Sequence, residues 1–516
     1  MNGAELLLKT AVNAGIEVCF TNPGTTELPM VSAFDSIPGI HPFLGLFEGC
    51  CTGAADGYGR MADKPAMTLL HLGPGLAYGL ANLHNAKRAH TPVFNVIGEH
   101  ATWHRPFDPP LTMDIEELAD TVSGWQCSPA SVQSVSQDTA DAVYAALQGQ
   151  VATLIFPHDC QWSEVSDEKI VQPKPSPGHV DQNSIEYAAR HLTADKKTAL
   201  VLGGRALRRR GLLAAARIKA ITGCDLLSET SPARMDHGVG IPEVTRIPYF
   251  PGKATELLSQ YPVLVLAGAR EPLVFFGYES GKSKLLTEAQ QVVHISASQP
   301  NLPQALEQLA TAVDAPQSDD SNAVSGGPIR RPELPQGSLS AQKACAVLAA
   351  LQPEGAIIVD ESVTTGGAYY PLAAGAPQHS WLTLTGGAIG QGIPCAVGAA
   401  IACPDRPVIN LQADGSAMYT VQALWMQARE SLNITTLICS NRSYNILNIE
   451  LMRAGKNKPG PNAQTLMDLG NPPLGWVHIS KGMGVPATSV DSAEQLAREL
   501  TKALNENGPH LIEMII

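Results

Sequence analysis

The sequence lacks the marks of metal–thiolate, nucleic-acid-binding and membrane-spanning proteins. Its ten cysteines are scattered and none stands in a Cys-x-x-Cys pair, so the spacing predicts no thiolate metal site and favours buried free thiols in a reducing compartment. Acidic residues outnumber basic ones by 48 to 35, and the net charge of −13 disfavours nucleic acid as a partner, because phosphate backbones bind basic surfaces. No uninterrupted apolar run is long enough to cross a bilayer.

The amino-terminal segment also lacks the basic-then-apolar layout of a secretory signal. Its letters, MNGAELLLKTAVNAGIEV, instead predict an amphipathic helix that ends near Gly15. A hydrophobic share of 44% and a charged share of 16% are typical of an ordinary globular protein. We therefore expect a cytoplasmic protein without a membrane partner.

Two polar stretches rich in proline, serine and glycine divide the chain. Residues 163–185 and 315–339 have no hydrophobic period, as expected of exposed connections. At roughly 100–200 residues per domain, a chain of this length predicts about three domains. We therefore place the domains at residues 1–165, 185–315 and 338–516.

In each of these parts, short β-branched runs alternate with helical patterns. The clearest examples lie at residues 66–98, 198–269 and 406–440. Strand–helix–strand units of this length imply parallel sheets with helices on both faces, so we predict an α/β fold of three doubly wound parallel-sheet domains. Ligands of such sheets bind beyond the carboxyl ends of the strands. A NAD-dependent dehydrogenase would share this architecture, but the chain has no Gly-x-Gly-x-x-Gly fingerprint.

One motif at a predicted strand end has the composition of a metal–phosphate site. Asp414, Gly415 and Ser416 directly follow the strand at 406–413, and the next strand ends in Asn441, 27 residues after Asp414. One crossover helix fits between them, so a carboxylate and an amide oxygen lie side by side. Mg²⁺ prefers such oxygen ligands and keeps phosphate oxygens among them. Gly415 would let a diphosphate approach, and Ser416 opens a helix with free N–H donors; the alternative is an ordinary helix-capping turn.

The segment Ala-Asp-Gly-Ser followed by this asparagine resembles the Gly-Asp-Gly…Asn signature of thiamine-diphosphate (ThDP) enzymes. The resemblance implies that Asp414 and Asn441 bind Mg²⁺ through side-chain oxygens and Ser443 through its carbonyl. Ala413 replaces the first glycine, which should cost little where a small residue suffices. The run Tyr444, Asn445, Ile446 would continue the diphosphate site with backbone N–H groups.

A second candidate is the carboxylate of Glu48, which follows an apolar strand and precedes small residues that open a helix. Alternatively, Glu48 is only a favourable charge at a helix N-terminus. The segment FLGLFEGCCTGAADGYGR (43–60) resembles the glutamate motif of the ThDP decarboxylase and acetolactate synthase group. That resemblance implies a buried carboxyl group with a raised pKa, which binds the cofactor pyrimidine at N1′ and activates it.

Further segments extend the resemblance over nearly the whole chain, in the same order and spacing. NPGTTELP (22–29) resembles a loop of benzoylformate decarboxylase, and HLGPG (71–75) resembles the Ser-Gly-Pro-Gly loop of acetolactate synthase. TGGAIGQGIP (385–394) resembles the pyrimidine-binding stretch, in which the Gly387 carbonyl accepts from the 4′-amino group. There Ile389 forces the V-shaped cofactor conformation, or simply packs in the core. The implied domains are pyrimidine-binding, central and diphosphate-binding.

The resemblance also implies an oligomer and a reaction class. In this group the counterparts of Glu48 and Asp414 meet across a subunit interface, so we expect a homodimer or homotetramer with ThDP at the interface. His71 stands where benzoylformate decarboxylase has an active-site histidine that can protonate the product carbon; the alternative is a hydrogen-bonded core histidine. Thr25 would hold the substrate carboxylate. The decarboxylase's second histidine has no counterpart in residues 272–281.

Two pocket positions indicate the substrate. Ile446 narrows the site where benzoylformate decarboxylase has a small residue, and Glu450 replaces an aromatic wall, so we expect a small aliphatic 2-oxo acid such as pyruvate. The expected reaction is loss of CO₂ and transfer of the remaining acyl unit to a second carbonyl, as in acetolactate synthase. Alternatives are simple decarboxylation to an aldehyde and a non-catalytic ThDP-binding homologue, but the second conflicts with the retention of Glu48, Asp414 and Asn441.

The central domain gives weaker signals. No Gly-x-Gly-x-x-Gly motif follows the strand before Gly203 and Gly204, so we expect no FAD. The run at residues 208–210 has three arginines and is typical of a solvated helix face. His100 and His104 lie in a loop predicted near the pocket mouth and have no assigned role.

Overall fold

The computed structural model describes residues 1–165, 169–173, 178–194, 196–279, 281–316, 328–456 and 459–516. The chain divides into two compact units. The first comprises Met1–Pro175, Arg331–Ala373 and Leu384–Ile516, and the second Ser176–Arg330 and Ala374–Thr383. Parts of both predicted linkers lie outside the described residues, and the domain boundaries at 165, 185, 315 and 338 stay predictions.

The amino-terminal part of the first unit is a six-stranded parallel sheet with the strand order β2-β1-β3-β4-β6-β5. The central strands are apolar and buried along their length, as parallel strands covered on both faces must be. The strands are β1 (Val18–Thr21), β2 (His41–Leu44), β3 (Ala66–His71), β4 (Val93–Glu99), β5 (Trp125–Cys127) and β6 (Val151–Pro157). The helices are α1 (Gly3–Asn13), α2 (Leu28–Ser36), α3 (Glu48–Ala62), α4 (Leu72–Ala89), α5 (Ile115–Asp120), α6 (Val135–Leu147) and α7 (His158–Trp162).

The second unit contains a five-stranded parallel sheet with the order β10-β8-β7-β11-β12. The strands of this sheet are β7 (Thr198–Leu202), β8 (Asp225–Ser228), β10 (Thr245–Arg246), β11 (Val263–Ala267) and β12 (Gln291–Ile295), and the unit also contains β9 (Met235–His237), which lies outside the sheet. Its helices are α8 (Gln182–Leu192), α9 (Arg209–Thr222), α10 (Pro251–Leu258) and α11 (Leu302–Ala312). Arg209 and Arg210 of α9 are exposed, and Arg210 pairs with Glu307 at 2.6 Å.

The carboxyl-terminal part of the first unit is a third parallel sheet, in the order β17-β18-β16-β15-β13. Its strands are β13 (Ile357–Glu361), β15 (Val408–Ala413), β16 (Ile434–Ser440), β17 (Ala487–Val490) and β18 (His510–Ile515), while β14 (His379–Thr383) belongs to the second unit and pairs antiparallel with β9. The helices are α12 (Ala341–Leu351), α13 (Tyr369–Leu372), α14 (Gly392–Ala402), α15 (Asp414–Ala417), α16 (Ala423–Arg429), α17 (Asn445–Arg453), α18 (Pro461–Met467), α19 (Trp476–Gly482) and α20 (Ala493–Asn505).

These three sheets confirm the predicted α/β fold class. Within the first unit, α3 and α14 pack closely because small residues line both helices: a Cβ at Gly57 would lie 2.0 Å from the Cys395 carbonyl oxygen, and one at Gly398 would lie 1.8 Å from that of Ala54. This contact explains the run of small residues after Glu48. All ten cysteines are free, and eight are buried. Across the described part of the chain, no helix has both the length and the apolar character needed to span a membrane.

Candidate active site

Glu48 lies at the carboxyl edge of the amino-terminal sheet, as the first residue of α3, and is 7% exposed. Its Oε1 receives a long hydrogen bond of 3.4 Å from the Asn22 side-chain amide. Burial raises the pKa of Glu48, and the helix N–H at its own position, Asn22 and His71 offset this effect only in part. The structure thus provides a buried carboxyl group that holds a proton more firmly than an exposed glutamate.

His71 ends β3 and is held by a second carboxylate, that of Glu27. The His71 Nδ1 lies 2.7 Å from Glu27 Oε2 and 3.2 Å from Thr26 Oγ1, and Glu27 is fully buried. The hydrogen bond to Glu27 raises the pKa of His71; burial opposes the rise, and the charges of Glu27 and Glu48 add to it. A carboxylate at Nδ1 fixes the ring and leaves Nε2 as the nitrogen for exchanging a proton with a ligand.

Two glycines make room for this His71–Glu27 pair. A Cβ at Gly24 would lie 2.3 Å from His71 Nδ1, and one at Gly98 would lie 1.7 Å from Glu27 Oε1. Gly75 lies against both sites, since its Cβ would be 3.4 Å from the Cβ of His71 and 3.5 Å from Glu48 Oε1. The structure therefore brings His71 and Glu48 together at one sheet edge.

Thr25 and the loop histidines are placed differently. Thr25 is exposed on the short turn Thr25–Glu27, and its neighbour Thr26 makes the contact with His71. His100 Nε2 lies 3.2 Å from the Pro110 carbonyl oxygen, and its ring centroid lies 5.7 Å from that of His104. These histidines thus lie in one surface loop after β4.

Asp414 and Asn441 lie at the carboxyl ends of β15 and β16, which are paired in parallel up to Ala413 and Cys439. The Asp414 carboxylate accepts the N–H of Gly415 at 2.9 Å and that of Arg442 at 2.7 Å. Burial raises the pKa of Asp414, and these two N–H groups work against the rise. The Asn441 Oδ1 accepts the Ser443 N–H at 3.0 Å.

This donor set fits a hard divalent cation. Asp414 is 3% exposed, each of its oxygens accepts one backbone N–H and retains a lone pair, and an amide oxygen follows on the neighbouring strand. One carboxylate with neutral oxygens suits Mg²⁺ that also binds phosphate oxygens. Among the described residues, no group of three or more His, Cys, Asp or Glu side chains could hold a metal ion.

Gly415 is required by packing as well as by any ligand. A Cβ at this position would lie 2.5 Å from the Tyr444 ring and 3.0 Å from Leu469 Cδ1. Ser416 is buried and receives a 2.7 Å hydrogen bond from Gln412 Nε2. Tyr444 precedes α17, and its N–H donates to the Met467 carbonyl at 2.9 Å. Asn445 and Ile446 form the first turn of α17, whose N–H groups have no acceptor within the helix.

The loop 385–392 links the two sheet edges of the first unit. Side chains of α4 hold it: Asn85 Nδ2 donates to the Ala388 carbonyl at 2.8 Å, and His84 Nε2 lies 3.2 Å from that of Gly386. Gly387 is exposed and has φ +76°, a conformation that favours glycine. Ile389 is half-buried, so it is not simply a core residue.

Sequence reasoning missed two buried carboxylates of this site, Glu27 and Glu361. Glu361, the last residue of β13, accepts N–H groups of the 385–392 loop, and burial raises its pKa to about 7. A buried glutamate at a strand end is unusual, and the same signal that selected Glu48 could have selected Glu361.

Helix α17 carries the two predicted pocket positions. Ile446 and Glu450 are four residues apart, so they share one helix face, and both are half-buried. Glu450 pairs with Arg453 at 3.5 Å.

Comparison with known proteins places this chain in a family. Two family models match: the thiamine pyrophosphate enzyme N-terminal TPP binding domain over residues 1–122, and the corresponding C-terminal TPP binding domain over residues 363–514. The chain belongs to the thiamine pyrophosphate enzymes, of the acetolactate synthase and benzoylformate decarboxylase type.

Three relatives span essentially the whole chain. A Mycobacterium tuberculosis protein named "Putative acetolactate synthase large subunit IlvX" is 47% identical and covers 100% of this chain and 99% of its own. Benzoylformate decarboxylase of Pseudomonas aeruginosa is 26% identical over 97% of this chain and 96% of its own. The structure of a ThDP-dependent 4-hydroxybenzoylformate decarboxylase from Rhodococcus jostii superimposes with a TM-score of 0.86 at 23% identity, covering 100% and 99%, which shows the shared fold.

Proposed function

We propose that this chain is a ThDP- and Mg²⁺-dependent enzyme that cleaves the bond between the carbonyl and the carboxylate of a small aliphatic 2-oxo acid. The observation that carries the proposal is the contrast between Glu48, a buried carboxyl group with few donors, and Asp414, a buried carboxylate supplied with backbone N–H groups. When bound, ThDP supplies the carbon nucleophile that adds to the 2-oxo carbonyl, and the protein groups bind, orient and move protons.

The carboxyl-terminal edge would hold the charged end of the cofactor. Asp414, Asn441 and the Ser443 carbonyl are proposed to bind Mg²⁺. The N–H groups of Ser416, Asn445 and Ile446 are proposed to bind the diphosphate, because helix N-termini favour anions. Gly415 and Tyr444 are proposed to line the same site, since their own N–H groups already donate to the Asp414 carboxylate and to the Met467 carbonyl. The oxygen donors of Asp414 and Asn441 and the helix that begins at Asp414 support this assignment.

The pyrimidine end would be held by Glu48, Gly387 and Ile389. Burial raises the pKa of Glu48, which favours the sharing of a proton between its carboxyl group and N1′ of the pyrimidine. The family resemblance supports a homodimer or homotetramer in which Glu48 of one subunit faces Asp414 of another.

The position of His71 supports aldehyde release. Glu27 raises the pKa of His71 and orients it, so its Nε2 can deliver the proton that the substrate carbon needs after CO₂ leaves. Transfer of the acyl unit to a second carbonyl is the second candidate, because the relative with 47% identity bears the acetolactate synthase name. Thr25 is exposed beside this pair and is proposed to hold the substrate carboxylate.

The wall formed by α17 supports a small substrate. Ile446 and Glu450 present a branched and a polar side chain on one face of that helix, and such a wall fits a short aliphatic chain better than an aromatic ring. We further propose that the enzyme works without FAD; a flavin absorbance in the purified protein would contradict this.

Product analysis tests the proposal. Purified protein with ThDP and Mg²⁺ receives [2-¹³C]pyruvate, and NMR follows the label. We expect labelled acetaldehyde; labelled acetolactate would instead establish the second candidate. A panel of longer and aromatic 2-oxo acids follows.

Two controls frame the result. Omission of ThDP should abolish turnover, and His71→Ala should shift the products from acetaldehyde towards acetolactate while pyruvate is still consumed. If benzoylformate disappeared much faster than pyruvate, the proposed pocket would be wrong. If no 2-oxo acid were consumed, the reaction class would be wrong.

A further inference from the structure

Glu361 stands directly beneath the loop 385–392. Its side chain is buried, its Oε1 accepts the Gly390 N–H at 2.6 Å, and its Oε2 accepts the Gly392 N–H. A third donor, Gln412 Nε2, lies 3.2 Å from Oε2. Hydrogen bonds to a carboxylate are stronger than those between neutral groups, so Glu361 is a firm attachment point for this loop.

The same group is connected to the Asp414 turn. Gln412 Nε2 also donates to Ser416 Oγ at 2.7 Å, and Ser416 Oγ lies 3.2 Å from the Ala413 carbonyl oxygen. Glu361 and Gln412 therefore join the loop 385–392 to the turn that begins with Asp414.

The carbonyl group of Gly390 is held by hydrogen bonds as well. Thr420 Oγ1 donates to the Gly390 carbonyl at 2.7 Å, and Asn82 Nδ2 approaches it at 3.5 Å. Asn82 also donates at 2.7 Å to the carbonyl of Gly49, the residue after Glu48. Gly390 thus has a held N–H and a held carbonyl, with φ +97°.

Glycine at 392 allows this arrangement. A Cβ there would lie 2.0 Å from Gln412 Oε1 and 3.0 Å from the Glu361 side chain. The two glycines and the carboxylate therefore form one fitted unit, whereas neither Gly387 nor Ile389 touches Glu361 through a hydrogen bond in the described chain.

We propose that Glu361 is a positioning residue that holds the loop 385–392 in fixed register with the Asp414 turn, so that both ends of ThDP meet a preformed site. This inference rests on the proposed function, in which Gly387 and Ile389 bind the pyrimidine half. Preorganisation strengthens binding because the loop need not be ordered when the ligand arrives. A ligand that contacts only the Asp414 turn should gain little from it.

The substitution Glu361→Gln tests this difference with two ligands, ThDP and inorganic diphosphate, each with saturating Mg²⁺. Glutamine offers one acceptor and points its amide hydrogens at backbone donors. Calorimetry should show the Kd for ThDP rising at least about tenfold, a typical effect of losing charged hydrogen bonds, and the Kd for Mg²⁺-diphosphate changing less than about threefold. Thr420→Val, which removes the hydrogen bond to the carbonyl of the same residue, Gly390, should raise the Kd for ThDP about threefold and leave the Kd for diphosphate unchanged.

The matched control is Glu494→Gln. Glu494 lies in α20 and also holds a loop, because it accepts the backbone N–H of Gly337 at 2.9 Å. This substitution should leave the Kd values for ThDP and for diphosphate unchanged. Equal weakening of both ligands in Glu361→Gln, or no change in either, would overturn the inference. Should Glu361→Gln fail to fold, Thr420→Val decides by the same criterion. Wild-type protein that bound diphosphate but not ThDP would overturn the proposed function itself.

Discussion

The two sheet edges of the first unit place a carboxylate in the same way and surround it differently. Glu48 begins α3 and Asp414 begins α15, each after a parallel strand, and burial raises the pKa of both. Asp414 receives two backbone N–H groups at 2.7 and 2.9 Å, whereas Glu48 receives a long side-chain bond of 3.4 Å. We therefore propose that the same position in the two sheets serves as a metal ligand at Asp414 and as a proton-holding acid at Glu48, according to the hydrogen-bond donors that reach it.

The neighbours of the two carboxylates extend the contrast. Around Glu48 stand His71 and Glu27, which can exchange or stabilise charge. The direct partners of Asp414 are the backbone N–H groups of Gly415 and Arg442, and the amide of Asn441 follows the neighbouring strand. The charge of Glu513 adds to the rise in the pKa of Asp414. Under the proposed function the amino-terminal edge handles protons and the carboxyl-terminal edge holds a cation, so substitutions at the two edges should have different effects.

The largest effect is expected for Glu48→Gln. Loss of the proton-holding group should lower kcat by about 10³-fold, within the range of general acid–base catalysis, while the Kd for ThDP changes less than about threefold. CO₂ release and calorimetry measure the two quantities. Glu17→Gln, at an exposed residue that pairs with Lys64 at 2.5 Å, should behave as wild type. Full activity in Glu48→Gln would contradict the proposed proton transfer by Glu48 and would remove the functional difference proposed between Glu48 and Asp414.

The parts of this comparison that could be predicted are the local ones. Glu48, Asp414 and Asn441 follow from strand ends flanked by small residues, because those signals lie within a few positions along the chain. Glu27 and His71 are 44 residues apart, and their contact depends on β1 and β3 being neighbours. Hydrophobic periodicity does not give the order of strands in a sheet, so the contact between Glu27 and His71 could not be predicted.

The orientation of single side chains could not be predicted for a related reason. The turn at residues 25–27 points Thr26 inward and Thr25 outward, and adjacent positions of a turn differ in direction without any change in composition. Gly415 was predicted from the needs of a ligand, yet the Tyr444 ring also excludes a side chain there, because the β16–α17 connection folds back over the turn.

Asp414→Asn should give the second largest effect, on binding rather than on proton transfer. Removing the negative charge should weaken Mg²⁺-dependent ThDP binding by about 10²-fold, the upper range seen when a metal site is perturbed. Titration of Mg²⁺ at fixed ThDP measures it, and excess Mg²⁺ should restore part of the activity. Asp405→Asn, at an exposed residue before the other end of β15, is the control. An unchanged Mg²⁺ dependence would show that the edge does not hold the cation.

The smallest effect, and the one specific to the proton edge, is expected for Glu27→Gln. Glu27 raises the pKa of His71, so its neutralisation should lower that pKa and move the high-pH limb of the kcat/KM profile to lower pH, with a loss of a few-fold at neutral pH. The sign for stability is fixed by linkage. A histidine pKa raised by folding stabilises the protein fully below the unfolded value of about 6.5, and this contribution is lost as pH rises through the folded value. The difference in unfolding free energy between wild type and variant should therefore shrink as the pH rises through the folded-state pKa of His71.

Glu5→Gln separates this effect from simple loss of a helix cap. Glu5 accepts the Asn2 N–H at 3.1 Å, as Glu27 accepts that of Gly24 at 2.8 Å, but among the described residues no histidine forms a hydrogen bond with Glu5. Its variant should lose a little stability at every pH and leave the activity profile in place. A shift confined to Glu27→Gln, and absent from Asp414→Asn, would mean that the two edges divide proton handling and cation binding between them. A shift of the pH profile in both variants would mean that each edge affects ionisation at the other. The proposed division between proton handling and cation binding would then be wrong.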